Sequence, residues 1–287
     1  MSEIKQLNDT ELKELTGLSY KLREKCLTMI HNVQSGHPGG TFSALDLILV
    51  LYKKIISQCN EWTCSPQWDK RDRFVLSKGH ASAGLYAVLA ECGYFCDDEL
   101  MSFRKLGARL QGHPSCNCVP GVEIPAGSLG QGLSMANGIA LSLKLDKNPA
   151  KVFVMMGDGE LQEGQVWEAA MSCAHYKLNN VIAVIDRNRL QIDGCTEDIK
   201  ALEPLADKWR AFGWDVLSVN GHDFQQIYQA YQVAVNITNE KNKPIIIIAD
   251  TIKGKGVSFM ENNAGWHGKA TKEEEFTKAV EELRGKC

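Results

Sequence analysis

The sequence lacks any apolar stretch able to cross a bilayer. No purely aliphatic run exceeds five residues, as in Leu47 to Leu51, against the roughly 20 residues that a spanning helix needs. The first fifteen residues, MSEIKQLNDTELKEL, are charged and helix-like, without the apolar centre of a secretion signal. A basic stripe is missing too: 32 Lys and Arg are interspersed with 35 Asp and Glu, for a net charge of −3. That balance argues against nucleic acid and membrane surfaces as partners. There is no internal repeat and no linker, so residues 1–287 read as a single domain. The ten cysteines lack paired zinc spacing. Cys116 and Cys118 are close, but Cys59/Cys64 and Cys92/Cys96 are not metal pairs. Reduced, structural thiols are the expectation, and with them a soluble cytoplasmic protein.

What the sequence does have is alternation of short apolar runs and helical patterns. At 44% apolar content, 287 residues can bury one large core. Helical spacing covers residues 10–33, with Thr10 as the expected cap. The Pro and glycines of Ser35-Gly36-His37-Pro38-Gly39-Gly40 should break it, and a second helix is expected over 43–57. A buried strand at 73–77 precedes a small-residue helix at 81–92. A Gly- and Pro-rich loop fills 107–132, of a length usually reserved for function. A helix follows over 129–145. Later elements are a helix near 204–212, a strand at 215–219, a helix at 224–238 and a strand ending at Asp250. A Gly-rich loop then leads to a helix over 271–284 capped by Thr271, with Glu274 three residues on. Strands alternating with helices predict an α/β fold, a parallel sheet with helices on both faces.

The centre of the pattern is residues 151–194. Val152 to Met156 meets Gly157-Asp158-Gly159, a helix is expected over 163–176, and Val181 to Ile185 delivers Asp186-Arg187-Asn188. This is the form of a β-α-β unit, which puts Asp158 and Asn188 at the carboxyl edge of the sheet. A carboxylate and an amide there suit Mg²⁺ holding a phosphate group. Gly157 and Gly159 would let backbone approach the phosphates, and the N-terminus of the following helix would offer N–H groups. Taken alone, Gly-Asp-Gly is no more than an ordinary turn. Its pairing with an Asn at the end of the next strand changes that.

The histidines point the same way. Five of seven (His37, His80, His113, His222 and His267) adjoin a glycine, where about one would be expected from 25 glycines in 287 residues. Any one of them reads as a surface turn. Together they suggest imidazoles converging on a polar ligand and shuttling protons near neutral pH.

Gly157-Asp158-Gly159 followed about thirty residues later by Asn188 resembles the thiamin-diphosphate motif. Its Gly-Asp-Gly-x-x-Gln-Glu-Gly form resembles that of the transketolase family. The resemblance implies the thiamin-diphosphate-binding fold, with Mg²⁺ (or Ca²⁺ or Mn²⁺) held by Asp158, Asn188 and the carbonyl of Leu190. Ser35 to Gly39 is similar to the family's substrate-facing loop, which implies His37 near ketose hydroxyls. It implies His80 at the diphosphate, His113 at the two-carbon fragment and His267 between the two. His222 matches no family loop. Gly127 to Gly132 resembles the segment holding the aminopyrimidine, with Gly127 offering its carbonyl and Leu129 beside it. Ser128 stands where relatives often have Pro. By the same resemblance Glu163 is the interface glutamate, Ile192 packs on the cofactor, and Asp186 supports the site from behind. Lys253 and Lys255 screen the diphosphate or are solvated. Glu160 varies among relatives.

The resemblance covers nearly the whole chain, while complete transketolases are more than twice as long. It therefore implies the amino-terminal subunit of a split transketolase, moving a two-carbon ketol unit between sugar phosphates. The pyrimidine domain, with the glutamate that activates the cofactor, would come from a second polypeptide, in an α₂β₂ assembly. Three alternatives remain: another thiamin-diphosphate enzyme such as a deoxyxylulose-phosphate synthase, a non-catalytic relative, or a Rossmann nucleotide binder. The last lacks a Gly-x-Gly-x-x-Gly after its first strand.

Overall fold

Apolar residues at every position of a strand can be buried only if both faces of the sheet are covered, and that is what the chain builds. A computed structural model describes residues 4–56, 70–116, 118–240 and 242–287. Its strands are β1 (Arg73–Leu76), β2 (Val152–Gly157), β3 (Val181–Arg187), the short hairpin pair β4 (Leu190–Gln191) and β5 (Gly194–Cys195), β6 (Asp215–Asn220) and β7 (Ile245–Asp250). The main sheet has the order β1-β2-β3-β7-β6, with every pair parallel. Its helices are α1 (Asp9–Val33), α2 (Pro38–Val50), α3 (Ser82–Glu91), α4 (Gly132–Leu145), α5 (Gly164–His175), α6 (Thr196–Lys200), α7 (Leu205–Ala211), α8 (Phe224–Glu240) and α9 (Glu273–Arg284).

Alternate strand residues feed two cores. Phe153, Met155, Ile182, Val184, Ile245 and Ile247 pack with α1, α2, α3, α8 and α9. Val152, Val154, Val181, Ala183, Ile246 and Ile248 pack with α4, α5 and α7. Cys26 and Cys173 are core residues, and burial pushes the Cys26 thiol up to about 12, so it behaves as an apolar side chain. No helix of the described residues is long and apolar enough to cross a membrane.

Four helix starts differ from the sequence expectation, one being α4, which begins at Gly132 and not at 129. Asn8, not Thr10, caps α1: its Oδ1 accepts from Glu11 N–H at 3.0 Å and Glu11 Oε2 accepts from Asn8 N–H at 2.9 Å. Helix α2 starts at Pro38, five residues early, because proline is well placed in a first turn, where its missing N–H costs nothing. Helix α9 starts after Lys272, whose N–H donates to Glu275 at 2.8 Å. Thr271 does not cap it. Its carbonyl and hydroxyl oxygens both lie 3.1 Å from His31 Nδ1. The expected end of the second helix at Ser57 lies outside the described residues, as do Cys59 and Cys64.

Candidate active site

Parallel pairing places the ends of β2 and β3 side by side. Gly157 lies opposite Asp186, and Asp158 N–H donates to the Asp186 carbonyl at 3.2 Å. Asp158 and Asn188 therefore leave the same edge of the sheet, as their sequence positions imply. Asn188 Nδ2 donates to Asp186 Oδ2 at 3.3 Å, and Asn188 Oδ1 accepts from Leu190 N–H at 3.2 Å. The Leu190 carbonyl accepts from Lys253 Nζ at 3.3 Å. One carboxylate, one amide and one carbonyl form a hard oxygen set, which fits a Mg²⁺-class ion. Asp158 is 1% exposed. Burial, then the neighbouring Asp186 charge, raises its pKa, while Arg187 at 3.1 Å acts against that rise.

Next to this edge is a cavity of about 200 Å³. Gly157, Asp158, Gly159, Glu163, Asn188, Leu190, Ile192, Leu129, His80, His267, Lys78 and Lys253 line it. Lysines and imidazoles supply its donors, which suits an anion such as a diphosphate. Leu129 and the exposed Ile192 supply apolar surface. Lys253 is 2% exposed, and burial, then repulsion from Lys78, lowers it to about 8. Its side chain passes so close to Gly39 that a Cβ there would sit 3.0 Å from Lys253 Cγ and 2.8 Å from the Trp266 carbonyl oxygen. Close approach is why Gly39 tolerates no side chain. Lys255 turns away and pairs with Glu261 at 3.8 Å, since the left-handed turn at Gly254 separates the two lysines.

Four of the five glycine-flanked histidines meet. Ring centroids are 5.3 Å apart for His37 and His80, 5.5 Å for His37 and His267, 6.1 Å for His37 and His113, and 5.1 Å for His80 and His267. Lys253 Nζ lies 2.9 Å from His267 Nδ1. Loss of solvent is the first cause of a lowered pKa in all four. Arg104 adds to it at His37 and His113, Lys78 at His80 and Lys253 at His267. His37 falls to about 4 and His267 to about 3. Both rings are thus neutral at pH 7, not poised to titrate there. His222 stands apart, its Nδ1 2.8 Å from Asp46 and its Nε2 accepting from Ile252 N–H at 2.8 Å.

These shifts have a sign that can be measured. Each ring binds its proton more weakly folded than unfolded, so acid favours the unfolded chain. Without added ligand, stability is expected to hold above about pH 6.5, the ordinary histidine value, and to decline as pH falls from there toward about 4. Urea unfolding across that interval checks it. In His37→Gln the decline should be shallower, and an unchanged slope would refute burial of a neutral ring.

The sequence also matches a profile shared by known proteins. The profile described as "Transketolase, thiamine diphosphate binding domain" matches residues 18–285. The chain belongs to the transketolase family. It is 42% identical to an apulose-4-phosphate transketolase subunit of Phocaeicola vulgatus, over 95% of each chain. It is 41% identical to a 6-deoxy-6-sulfo-D-fructose transketolase subunit of Clostridium sp., over 91% of this chain and 93% of that one. Superposed on the Campylobacter jejuni transketolase structure, it matches over 97% of its own length and 43% of that longer chain, with a TM-score of 0.87 and 34% identity.

In this transketolase-family domain, several charged residues matter that sequence reasoning missed. Glu160, set aside as variable, is 3% exposed and accepts from Ser77, from Gly130 N–H at 2.9 Å and from Gly157 N–H at 3.0 Å. It ties the 127–132 loop to the end of β2. Lys78 is buried against Asp186. Arg187 links Asp158 to Thr196 at 2.8 Å and to Glu197 and Glu203 at 3.0 Å each. In the sequence only adjacency hinted at them: Glu160 to Gly-Asp-Gly, Lys78 to Gly-His and Arg187 to Asn188.

One expectation for the site is corrected, and two of its residues sit off the cavity wall. Asp186 is fully buried behind the cavity, accepting from Ser43 at 2.6 Å, Thr251 and Lys78. Burial pushes its pKa up, but Lys78 and the hydroxyls outweigh this and hold it down. The helix after β2 does not present its N-terminus at Asp158, because the 3₁₀ turn Gly159–Gln162 intervenes. The Gly159 N–H is instead taken by Asp158 Oδ1 at 2.8 Å. Gly127 lies outside the cavity wall and next to His113, where an added Cβ would be 3.6 Å from its ring.

Proposed function

We propose that this chain is the diphosphate- and metal-binding subunit of a two-chain, cytoplasmic transketolase. It would move a two-carbon ketol unit from a ketose, or ketose phosphate, to an aldose, or aldose phosphate. The observation that carries this reading is the meeting of Asp158, Asn188 and the Leu190 carbonyl beside a cavity walled by lysines and histidines. Asp158, Asn188 and the Leu190 carbonyl would hold Mg²⁺, or Ca²⁺ or Mn²⁺ in its place. Lys253, His80 and His267 would receive diphosphate oxygens, beside the backbone of Gly157 and Gly159. Leu129 and Ile192 would flank the ring system, and the Gly127 carbonyl would accept from its amine. Asp186 would act from behind by holding Asn188. Bound thiamin diphosphate supplies the carbon nucleophile that cleaves and re-forms the sugar C–C bond. His37 and His113, on the open side of the cluster, would contact sugar hydroxyls and carbonyl oxygens.

Two of the relatives are named as subunits, for apulose-4-phosphate and for 6-deoxy-6-sulfo-D-fructose. They favour a partner that carries the pyrimidine domain, and a specialised sugar as the donor. Glu163 is exposed on the cavity rim, where a partner chain in an α₂β₂ assembly could cover it. Ketol transfer is expected only when the purified chain is mixed with that partner, thiamin diphosphate and Mg²⁺. Substantial turnover by the chain alone would overturn the two-chain reading. A panel of ketose, sulfosugar and branched-sugar donors would then assign the substrate.

A further inference from the structure

We propose that Arg104 is a positioning residue that fixes the tautomer of His37, so that His37 presents an Nε2–H donor and not a base to the ligand beside it. Arg104 Nη2 lies 3.4 Å from His37 Nδ1. A guanidinium has five donors and no acceptor and keeps its charge at any physiological pH. Nδ1 must therefore carry the lone pair, and the single proton of a neutral ring sits on Nε2. The low proton affinity of this ring keeps it neutral. The Nε2 edge faces the loop that carries His267, since a Cβ on Gly268 would lie 3.6 Å from His37 Nε2.

The arrangement around Arg104 is built for this contact. Its backbone is left-handed, at φ 57°, and its N–H donates to the Leu110 carbonyl at 2.8 Å, which folds 104–110 back on itself. The guanidinium then reaches Ser35 Oγ at 3.0 Å and the Gly112 carbonyl at 3.4 Å, joining the loops of His37 and His113. A Cβ on Gly112 would fall 2.4 Å from Arg104 Cζ, so glycine is what admits the guanidinium. Among the described residues no carboxylate pairs with Arg104. Its orientation is set by these oxygens and by His37. Held so, His37 donates to carbonyl, hydroxyl or phosphoryl oxygens, and proton removal falls to an imidazole without such a partner.

The nature of the ligand rests on the transketolase reading; the tautomer does not. Long-range ¹H–¹⁵N spectra of the histidine-labelled full chain, with His37 assigned through His37→Gln, should show Nδ1 unprotonated and Nε2 protonated near neutral pH. Arg104→Met should yield a mixture of tautomers, and Arg104→Lys should keep the original one. Gly112→Ala displaces the guanidinium without deleting it and should behave like Arg104→Met. A proton on Nδ1 in the parent chain, or an unchanged tautomer in both Arg104→Met and Gly112→Ala, would overturn the proposal. With the partner present, Arg104→Met should lower kcat/KM roughly 10- to 100-fold, with Arg104→Lys recovering most of it. The spectra need no cofactor, partner or substrate, so failure of ketol transfer and failure of the tautomer assignment are separate results.

Discussion

Asp158→Asn is expected to abolish ketol transfer and to weaken binding of thiamin diphosphate with Mg²⁺ by at least about 100-fold. That is the upper end of what losing a mere supporting partner of a metal site costs. The substitution preserves shape and removes the charge. It also turns one oxygen into a donor where three donors already converge: Gly159 N–H, Arg189 N–H and the Arg187 guanidinium. Arg187 keeps Thr196, Glu197 and Glu203, so the fold should survive with a loss of about 1–3 kcal/mol. Calorimetric titration of the cofactor and metal into the variant, beside a urea melt, separates binding from folding. Binding close to that of the parent chain would remove Asp158 from the metal site.

Lys78→Met should produce the largest loss of stability, about 3–5 kcal/mol, because it strands a buried carboxylate. Lys78 is 1% exposed and Asp186 is fully buried. The remaining partners of Asp186, namely Ser43, Thr251 and Asn188, are neutral. For a domain of this size the melting point should drop by roughly 10 °C. The pH dependence reverses with it. In the parent chain the lowered Asp186 pKa adds stability above the ordinary carboxylate range, lost as pH falls. In the variant the folded carboxyl holds its proton more tightly than the unfolded one. Its deficit therefore shrinks in acid and grows as pH rises through that range. Lys78→Met/Asp186→Asn should recover most of the loss at pH 7. If Lys78→Met melts within a few degrees of the parent chain, water or another cation reaches Asp186 and the buried-pair account fails.

How much of the molecule is legible in its sequence depends on distance along the chain. Asp158 and Asn188 were legible because a single β-α-β unit fixes them: two short buried strands in parallel must end together. The four histidines were legible as a set, through their flanking glycines and the family resemblance. Helix α2 was misjudged at its start because Gly39 and Gly40 read as breakers. They occupy its first turn, where packing of Lys253 and His80 against them requires small residues.

Lys78 and Asp186 are 108 positions apart, and Ser77 and Glu160 are 83 apart. No local pattern signals which charges will share a low-dielectric interior. The depressed histidines follow the same logic, since burial and the cations around them exist only after folding.

By itself the sequence determined the sheet, its strand periods, the carboxyl edge where ligand-type residues emerge and the family to which the chain belongs. Those follow from spacing, which is local, and from motifs, which are contiguous. Tertiary structure alone decided which cation meets which carboxylate, which imidazoles lose their protons and why Arg104 lies against His37. Such energies depend on desolvation and separations of a few ångströms, and both are properties of the packed chain.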